Sequence, residues 1–525
     1  MKLLSFSINS IGCRTYSTLK SFHSKHWIQP SAGYDTNIKI FNPITRTEVP
    51  LILKRKDTAS WYMCGPTVYD STHIGHGSCF VKQDIIQRIL QKHFQINVIT
   101  AMNITDVDDK IIARSKQTNE DWMSLTKRYE DEFWMDMKRL GVETPNVSLR
   151  VTDHMPEIIR FTQTLLDKQI AYRHTDGSVY FDVCKCPTYG KFQSLNEQSK
   201  HEFKRSQFDF AVWKAAKPNE PSWNAPWGNG RPGWHVECSV LASLIFGENL
   251  DFHSGGIDLR FPHHENEEAQ CCSHHGIGQW VNYWIHTGQL HLVGESVKMS
   301  KSLNNAITIS DFLTKHTANE FRMLCLLSHY RNQMDYSESH MDAAKMTCKR
   351  ITEFRSDIDA CVKGQKTFSD DGNELHEQMS EASIRIDGFL RDDFTTSRCI
   401  DQLMLLIKTI NKSMHRHDTT ANTQPSVSSN IADLLAVRNF VDSKLEIFGL
   451  NFNDSVAVSD NSTVSTERIV DGVVDVRNRI RNRALESKDK QLLKDCDDIR
   501  ECFKLNGIAL KDHGKLSSWH FMMSK

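Results

Sequence analysis

The chain has 525 residues and carries 64 Lys and Arg against 65 Asp and Glu, for a formal net charge of −1. A chain of this length is expected to form about three or four domains with sizeable cores. The near-neutral charge argues against a general polyanion binder, although local basic clusters can still bind nucleic acid. No apolar run approaches the roughly 20 residues that span a bilayer, so we expect no membrane insertion. The 14 cysteines in a chain this long do not form a disulfide scaffold and fit a reducing compartment.

Residues 1–34 contain seven serines and no Asp or Glu, and their basic residues are Lys2, Arg14, Lys20 and Lys25. An apolar, basic and acid-free beginning predicts a transit peptide and import into the mitochondrial matrix. The tetrapeptide at 14–17 resembles a matrix-peptidase site, with cleavage after Tyr16. A secretory signal is disfavoured because the apolar segment at 3–11 is short and interrupted by polar residues; a disordered terminus is the remaining alternative.

A strand–helix–strand unit is predicted next. Residues 59–64 have the composition of a short buried strand, the Gly65-Pro66 pair ends it, and residues 96–100 form the following strand. Between them, apolar residues from Phe80 to Phe94 recur with helical spacing. His73 and His76 therefore lie where a helix begins, and its backbone N–H groups and dipole favour an anion there. The alternatives are a simple helix cap with a chance histidine pair, or, less favoured, a metal site.

A second signature, Lys298-Met299-Ser300-Lys301-Ser302, lies in a polar stretch that can close over phosphates. In isolation it is as well explained by a solvated surface loop. Two phosphate-binding signatures in this order, however, indicate an enzyme that activates an acid with ATP.

Longer motifs show a resemblance to the class I aminoacyl-tRNA synthetases, and within them to the cysteinyl-tRNA synthetases of mitochondrial type. The resemblance extends from about Ile38 to about Trp519. The motifs that carry it are Met63-Cys64-Gly65-Pro66-Thr67-Val68-Tyr69-Asp70, Asn103-Ile104-Thr105-Asp106-Val107-Asp108-Asp109-Lys110, Gly230-Arg231-Pro232-Gly233-Trp234-His235-Val236-Glu237-Cys238-Ser239 and Phe261-Pro262-His263-His264-Glu265-Asn266-Glu267.

The resemblance implies an α/β fold: a Rossmann-like catalytic domain with a connective insertion, followed by an α-helical anticodon-binding bundle and a small C-terminal region. We place the two catalytic halves at 35–117 and 224–340, the insertion at 118–223, the bundle at 341–452, a linker at 453–466 and a tRNA-binding region at 467–525. In that last region four arginines are close in sequence and suited to follow phosphates: Arg477, Arg479, Arg481 and Arg483. A solvated helix of mixed charge is the alternative.

The resemblance also implies one zinc ion held by Cys64, Cys238, His263 and Glu267. Without the resemblance, these four residues would be weak evidence for a metal site, because no CxxC pair is present. The same resemblance places the substrate cysteine among Gly65, Thr67, Thr105, Trp234 and His263. A metal is useful here because an apolar pocket separates near-isosteres by only about 1–3 kcal/mol. Zinc binds a thiolate directly, whereas the hydroxyl of serine stays protonated and is a harder donor.

The implied reaction joins L-cysteine to ATP, giving cysteinyl-adenylate, and then transfers the cysteinyl group to the terminal adenosine of tRNA-Cys. His73 and His76 would hold the phosphates, with Lys298 and Lys301 stabilising the charge of the transition state. Mg²⁺ would accompany ATP, and the segment with Gly255, Gly256 and Asp258 resembles the family's adenosine-binding turn. We expect a monomer.

Three positions depart from the family pattern. Ser254 replaces a glycine of the adenosine segment, Ser78 replaces an arginine after the histidine signature, and Ala113 replaces a lysine associated with a persulfide-forming side activity. The alternative enzyme is a ligase that couples cysteine to an amino sugar, but such paralogues lack the extension that runs here from Met341 to Lys525. A non-enzymatic zinc- and nucleotide-binding adaptor is disfavoured by the complete signatures.

Overall fold

The structure is a computed structural model that describes residues 27–193, 204–292, 306–366, 368, 373–416, 430–452 and 463–522. The chain forms two compact units, which are described separately. The first comprises the described residues up to Thr72 together with Ile96–Met135 and Thr144–Gly288, and the second comprises His73–Gln95, Asp136–Glu143 and the described residues from Gln289 onward.

The described strands and helices are numbered in chain order. The strands β1 to β16 are Tyr34–Asn42, Thr47–Leu53, Thr58–Met63, Asn97–Ile104, Val147–Arg150, Ala171–Arg173, Val179–Phe181, Phe210–Ala215, Trp223–Ala225, Gly228–Pro232, Leu250–Gly256, Val281–Thr287, Leu290–Leu292, Met334–Tyr336, Ile508–His513 and Leu516–Phe521. The α-helices α1 to α14 are Ile74–Arg88, Asp109–Thr118, Trp122–Arg139, Met155–Asp167, Trp234–Phe246, Glu265–His275, Ile309–Leu313, Ala318–Leu326, Glu338–Val362, Asn373–Arg391, Thr396–Arg416, Asn430–Ile447, Thr463–Ser487 and Lys490–Leu505. Shorter helical turns include Ile89–His93, Ile257–Leu259 and Arg260–His264.

A five-stranded parallel sheet organises the first unit, in the order β12-β11-β3-β4-β5. Its central strands β3 and β4 are buried at most positions and on both faces, as is usual in parallel sheets. The predicted strands at 59–64 and 96–100 correspond to β3 and β4, and the Rossmann-like α/β class is confirmed. Because all five strands run the same way, their carboxyl ends lie along one edge.

A second, antiparallel sheet in the first unit has the order β6-β7-β8-β10-β9. The strands of this sheet lie between Ala171 and Pro232, whereas the insertion is predicted at 118–223. Strand β5 already pairs with β4 in the parallel sheet, and β10 continues the antiparallel sheet to Pro232. Both sheets contribute to one hydrophobic cluster, so residue composition does not change at the ends of the insertion. Those ends are recognised only from which strands pair with one another.

The second unit contains α1 and the helices from α7 onward. Helix α1 begins at Ile74 and is followed by a single π-helical turn, so the helix predicted for residues 80–94 is confirmed and begins earlier. Helices α9 to α12 are long and bury apolar residues at helical spacing, so the C-terminal part of the chain is helical; the bounds 341–452 of the bundle stay a prediction. Of the predicted linker at 453–466, residues 453–462 lie outside the described part of the chain, and α13 begins at Thr463.

The C-terminal elements α13, α14 and the β15–β16 hairpin pack together and also contact α9. Lys511 forms an ion pair with Asp357 of α9 at 3.3 Å, and the side chains of Ser356 and His520 lie 3.1 Å apart. The small C-terminal region is therefore docked on the helical bundle through specific polar contacts.

The folded part of the first unit includes residues that lie within the segment predicted as a transit peptide, 1–34. Residues 1–26 lie outside the described residues, but Trp27 donates its indole N–H to the carbonyl of Asn282 at 2.7 Å. Gln279 exchanges two hydrogen bonds with the backbone of Ile28, at 2.7 and 3.0 Å. The predicted bound at residue 34 is therefore too late, because the segment from Trp27 already packs beside β12.

Among the helices of the described ranges, none combines the length and the hydropathy that a membrane span requires.

Candidate functional site

The carboxyl edge of the parallel sheet brings two family motifs into contact. The backbone N–H of Gly65 donates to the side-chain carbonyl of Asn103 at 2.9 Å. A Cβ atom at Gly65 would lie 1.7 Å from the backbone oxygen of Asn103, so the close approach of these segments requires glycine. Beyond them, Thr67 and Thr105 form an isolated parallel bridge.

The four predicted metal ligands converge at this edge, and all four are buried. Cys64 follows β3, Cys238 lies in α5, His263 lies in the turn before α6, and Glu267 lies in the first turn of α6. Their donor atoms all lie within 4.8 Å of one another. The structure therefore brings together residues from four separate elements, although nothing local in the sequence links Cys238 to the other three.

Two of the separations between these donor atoms match those of a tetrahedral site, and a third is shorter. Zinc ligands at about 2.0–2.3 Å place their donor atoms about 3.3–3.8 Å apart. The Sγ atoms of Cys64 and Cys238 lie 3.8 Å apart, and Cys64 Sγ lies 3.7 Å from Glu267 Oε1. His263 Nε2 lies 3.0 Å from Glu267 Oε1, which is hydrogen-bonding distance. Two sulfurs, an imidazole and a carboxylate form a donor set typical of Zn²⁺.

The electrostatics of the cluster favour the deprotonated forms of Cys238 and Glu267, whereas the raised pKa values of Cys64 and His263 favour their protonated forms. Burial alone raises the pKa of a thiol, but at Cys238 the hydrogen bond with Cys64 and the interactions with His263 lower the pKa to about 6. Burial opposes ionisation at Glu267 as well, yet His253 and His263 lower its pKa to about 2. Burial and Cys238 raise the pKa of Cys64 well above its usual value. One thiolate and one carboxylate are thus available at neutral pH.

Two further histidines reach the same cluster, and the sequence analysis did not identify them as metal ligands. His253 Nε2 lies 2.8 Å from Glu267 Oε2, and His264 Nε2 lies 3.5 Å from Cys64 Sγ. Together with Cys64 and Glu267 they form a second set of four buried donors. His264 lies inside a quoted motif and His253 does not, and only the pairing of β11 with β3 brings His253 opposite Tyr62.

The residues predicted to surround a substrate cysteine lie around this cluster. The indole ring of Trp234 packs on the His263 imidazole with ring centroids 4.2 Å apart, and 37% of Trp234 is exposed. The hydroxyl of Thr105 donates to Glu237 Oε2 at 2.9 Å. Glu237, which the sequence analysis did not single out, is buried, and burial raises its pKa well above the usual value.

The predicted adenosine segment forms the end of β11 and the turn after it. A Cβ atom at Gly255 would lie 2.8 Å from Leu259 Cδ1, so this backbone also lies close to its neighbours. The departure at Ser254 has a structural role, because its hydroxyl accepts a hydrogen bond of 2.7 Å from the indole N–H of Trp61. Asp258 follows Gly256 in the next helical turn.

In the second unit, His73 and His76 lie at the beginning of α1, as predicted. His73 is the N-cap residue, and its Nδ1 accepts from the backbone N–H of His76 at 3.4 Å. The two rings stack with centroids 3.8 Å apart; His73 is buried and His76 is exposed. The hydroxyl of Ser78 donates to the carbonyl of Gly75 at 2.9 Å, within the same turn.

Lys298 and Lys301 lie outside the described residues. The chain just after them is described, however, and it contacts the histidine signature. The backbone N–H of Ile74 donates to the carbonyl of Ile307 at 2.9 Å, and Thr308 forms an antiparallel bridge with His73.

The four C-terminal arginines do not form one phosphate-binding row. Arg477 is 1% exposed and bonds Asp512 at 2.7 Å, and Arg481 also pairs with Asp512, at 3.4 Å. Arg479 and Arg483 are exposed. Residues two apart on a helix lie on different faces. Of the four arginines, Arg479 and Arg483 are therefore the two that are exposed and available to bind phosphates.

Comparisons with known proteins agree with these motifs. Residues 51–346 match the family model described as tRNA synthetases class I (C) catalytic domain. A probable mitochondrial cysteine–tRNA ligase of Xenopus tropicalis is 40% identical over 530 residues, covering 95% of this chain and 92% of that protein. In Dictyostelium discoideum, a cytoplasmic cysteine–tRNA ligase is 34% identical (98% and 82% covered) and a probable mitochondrial one is 37% identical (90% and 85%).

A solved structure of methionyl-tRNA synthetase from Mycobacterium tuberculosis with methionyl-adenylate is similar in fold, with a TM-score of 0.55 at 13% identity, covering 75% of this chain and 90% of that one. The relatives give no support to an amino-sugar ligase or to a persulfide-forming activity. The family model and the extent of the sequence similarity establish that the chain belongs to the cysteine–tRNA ligases, a family of class I aminoacyl-tRNA synthetases.

Proposed function

We propose that the protein activates L-cysteine with ATP to form cysteinyl-adenylate and transfers the cysteinyl group to the 3′-terminal adenosine of tRNA-Cys. The observation that carries this proposal is the buried cluster of two thiols, an imidazole and a carboxylate at the end of β3. Such a cluster is suited to recognise an amino acid by its sulfur atom.

We propose Cys64, Cys238, His263 and Glu267 as ligands of one Zn²⁺. This set is favoured over the set with His253 and His264 because two soft thiolates suit zinc better than one. Bound there, the ion would take the thiolate of cysteine as a further ligand and so distinguish it from serine. Trp234 packs on His263, and Gly65, Thr67 and Thr105 shape the backbone around the cluster, which positions the amino acid.

We propose that His73 and His76 hold the phosphates of ATP with its Mg²⁺ at the N-terminus of α1, where the His76 side chain is exposed. Lys298 and Lys301 would stabilise the charge that develops on the α-phosphate. The hydrogen bond between Ile307 and Ile74 supports the joint role of the histidine and lysine signatures. Lys301 lies six residues before Ile307, and six residues of chain span at most about 20 Å. Gly255, Gly256 and Asp258 would hold the adenosine.

For tRNA we propose that the antiparallel sheet of the first unit guides the acceptor end, and that the helical bundle and the C-terminal elements bind the anticodon region. Arg479 and Arg483 are the arginines of the C-terminal cluster that remain exposed to meet phosphates. We expect the enzyme to act as a monomer.

Aminoacylation assays test this function directly. Purified protein should charge tRNA-Cys in the presence of cysteine and ATP, and cysteine-dependent pyrophosphate exchange should resist a large excess of serine. A free amino sugar in place of tRNA should yield no product. Product with the amino sugar alone, or no activity with either acceptor, would contradict the proposal.

We place the enzyme in the mitochondrion, and within it in the matrix, on the basis of its acid-free, basic first 26 residues and its mitochondrial relatives. After import, the N-terminus is expected before Trp27, because Trp27 and Ile28 pack against the first unit. N-terminal sequencing of the protein isolated from mitochondria checks this, and the predicted cleavage after Tyr16 satisfies it. A mature chain that begins after Trp27 would contradict it.

Replacement of Lys301 by alanine is expected to slow adenylate formation by about 100-fold, the order of effect seen when one transition-state donor is lost. Pyrophosphate exchange measures the rate, and metal content should equal that of the wild type because Lys301 is not among the metal ligands. Lys315→Ala, a lysine after α7, serves as control and should leave the rate unchanged. Loss of metal in Lys301→Ala would show that the substitution acts on folding instead.

A further inference from the structure

Asp109 and Arg231 lie in two of the family motifs, but neither has a role in the metal cluster or in the proposed nucleotide site. Asp109 is the first residue of α2, and its carboxylate pairs with cations from two strands of the antiparallel sheet. Lys214 of β8 donates from Nζ to Asp109 Oδ2 at 2.6 Å, and the Arg231 guanidinium of β10 donates to Oδ1. One carboxylate therefore joins α2 to both strands.

The ion pair between Asp109 and Arg231 is only partly exposed to solvent. The Arg231 side chain is 5% exposed, whereas that of Asp109 is 59% exposed. Glu220 lies 4.0 Å from the same guanidinium, beyond hydrogen-bonding distance. Burial opposes ionisation of Asp109, but Lys214 and Arg231 lower the pKa of its carboxyl below the usual value. Because a buried guanidinium that loses its carboxylate is costly, this pair holds its elements together more firmly than an exposed pair would.

Strand β10 has little room to move on β8. A Cβ atom at Gly230 would lie 2.2 Å from the backbone oxygen of Lys214. A Cβ atom at Gly233 would lie 1.9 Å from the backbone oxygen of Ala211. Trp234 follows directly as the first residue of α5. The position of β10 therefore sets where this indole lies.

A hydrogen bond joins the same two segments at a second place. The hydroxyl of Thr105 donates to Glu237 of α5 at 2.9 Å. In sequence, this bond lies four residues from Asp109 on one segment and six residues from Arg231 on the other. Thr105 and Trp234, two residues predicted to surround the substrate cysteine, therefore lie on the stretches of chain that these two links hold together.

We propose that Asp109 and Arg231 are positioning residues for the cysteine pocket, and that their ion pair holds Trp234 in place on the His263 imidazole. This inference rests on the proposed function. Neither residue needs to touch the substrate, because both act through the indole, which lies 4.2 Å from the imidazole between ring centroids. Without the ion pair, β10 and the indole can shift together, which weakens cysteine binding and leaves the phosphate-binding histidines of α1 in place.

The test is Asp109→Asn, which keeps the volume of the side chain and removes its charge. KM for cysteine in pyrophosphate exchange should rise about 10-fold, within the roughly 100-fold that a misplacement of about 1 Å costs. Equilibrium dialysis with labelled cysteine, without ATP, should show the same loss of affinity. KM for ATP and zinc content should equal those of the wild type.

The same substitution in a Trp234→Ala background shows whether the ion pair acts through the indole. Trp234→Ala should itself raise KM for cysteine. Asp109→Asn should then add about 2-fold or less, because residues that act through one another are not additive. Lys214→Met is the second variant should Asp109→Asn not yield folded protein. It should also raise KM for cysteine without raising KM for ATP.

Glu120→Gln is the matched control. Glu120 follows α2 in the first unit and pairs with Arg128 at 2.7 Å, and its side chain is 29% exposed. This pair does not involve the antiparallel sheet, so KM for cysteine should stay at the wild-type value.

An unchanged KM for cysteine in Asp109→Asn, or in Lys214→Met where that variant is needed, would overturn the inference. The full 10-fold effect in the Trp234→Ala background would also overturn it, because the ion pair would then act independently of the indole. An equal rise of KM for cysteine and for ATP would count against it as well, since it would indicate a general loosening of the fold. Wild-type protein whose pyrophosphate exchange does not depend on cysteine would instead refute the proposed function.

Discussion

Replacement of Cys238 by serine is expected to weaken zinc binding by roughly 100-fold or more, since even the loss of an outer partner of a ligand costs about 10–100-fold. Cys238 is the ligand whose pKa lies near 6, so it supplies a thiolate at neutral pH. Without it, KM for cysteine should rise steeply while KM for ATP changes little. Discrimination against serine should fall toward the roughly 10–200-fold that packing alone provides.

The measurements are metal content after dialysis and pyrophosphate exchange with each amino acid. Cys186→Ser is the control, because Cys186 is a buried thiol of the same unit that belongs to neither donor set. Equal impairment of cysteine and ATP binding by Cys238→Ser would speak against the proposed pocket. Full retention of metal would favour the alternative set with His253 and His264.

Replacement of Arg322 by methionine is expected to destabilise the protein by about 3–5 kcal/mol, the usual cost of breaking a buried ion pair by removing one partner. Arg322 is 1% exposed and bonds Asp84 of α1 at 2.5 Å. It also donates to the backbone carbonyls of Leu140, Gly141 and Phe448 at 2.8–3.2 Å. Methionine fills much of the same volume but satisfies none of these acceptors.

Chemical denaturation measures this effect as a change in the free energy of unfolding. Arg385→Met is the matched control, because Arg385 pairs with Glu381 one turn away on α10 and both side chains are about half exposed. Exposed pairs of this kind contribute about 0.3–0.5 kcal/mol. If the two variants lose similar stability, Arg322 does not hold α1 to its neighbours as the contacts indicate. Since α1 presents His73 and His76, we also expect weaker ATP binding in Arg322→Met.

Much of the fold and part of the candidate site could be predicted from local patterns. Strand β3, helix α1 and strand β4 are each formed by one contiguous segment. The spacing of apolar residues within such a segment can be read from the sequence without knowing the tertiary structure. The same is true of His73 and His76, which are placed by the helix that they begin. Family motifs then supplied the four proposed metal ligands, and the structure brings those four together.

Contacts between distant segments could not be read from the chain. The second donor pair, His253 and His264, reaches Cys64 only because β11 pairs with β3 and a helical turn follows it. The role of Ser254 as the partner of Trp61 depends on the same pairing. Sequence spacing carries no information about which strands become neighbours.

The sequence by itself determined strand β3, helix α1, strand β4, the position of the histidine signature and the resemblance to the family. The tertiary structure decided which side chains are available for function. Arg477 has the same chemistry as Arg479, but one is buried against Asp512 and the other faces solvent. Periodicity reports the conformation of a segment, whereas burial and partners depend on what the rest of the chain places beside it.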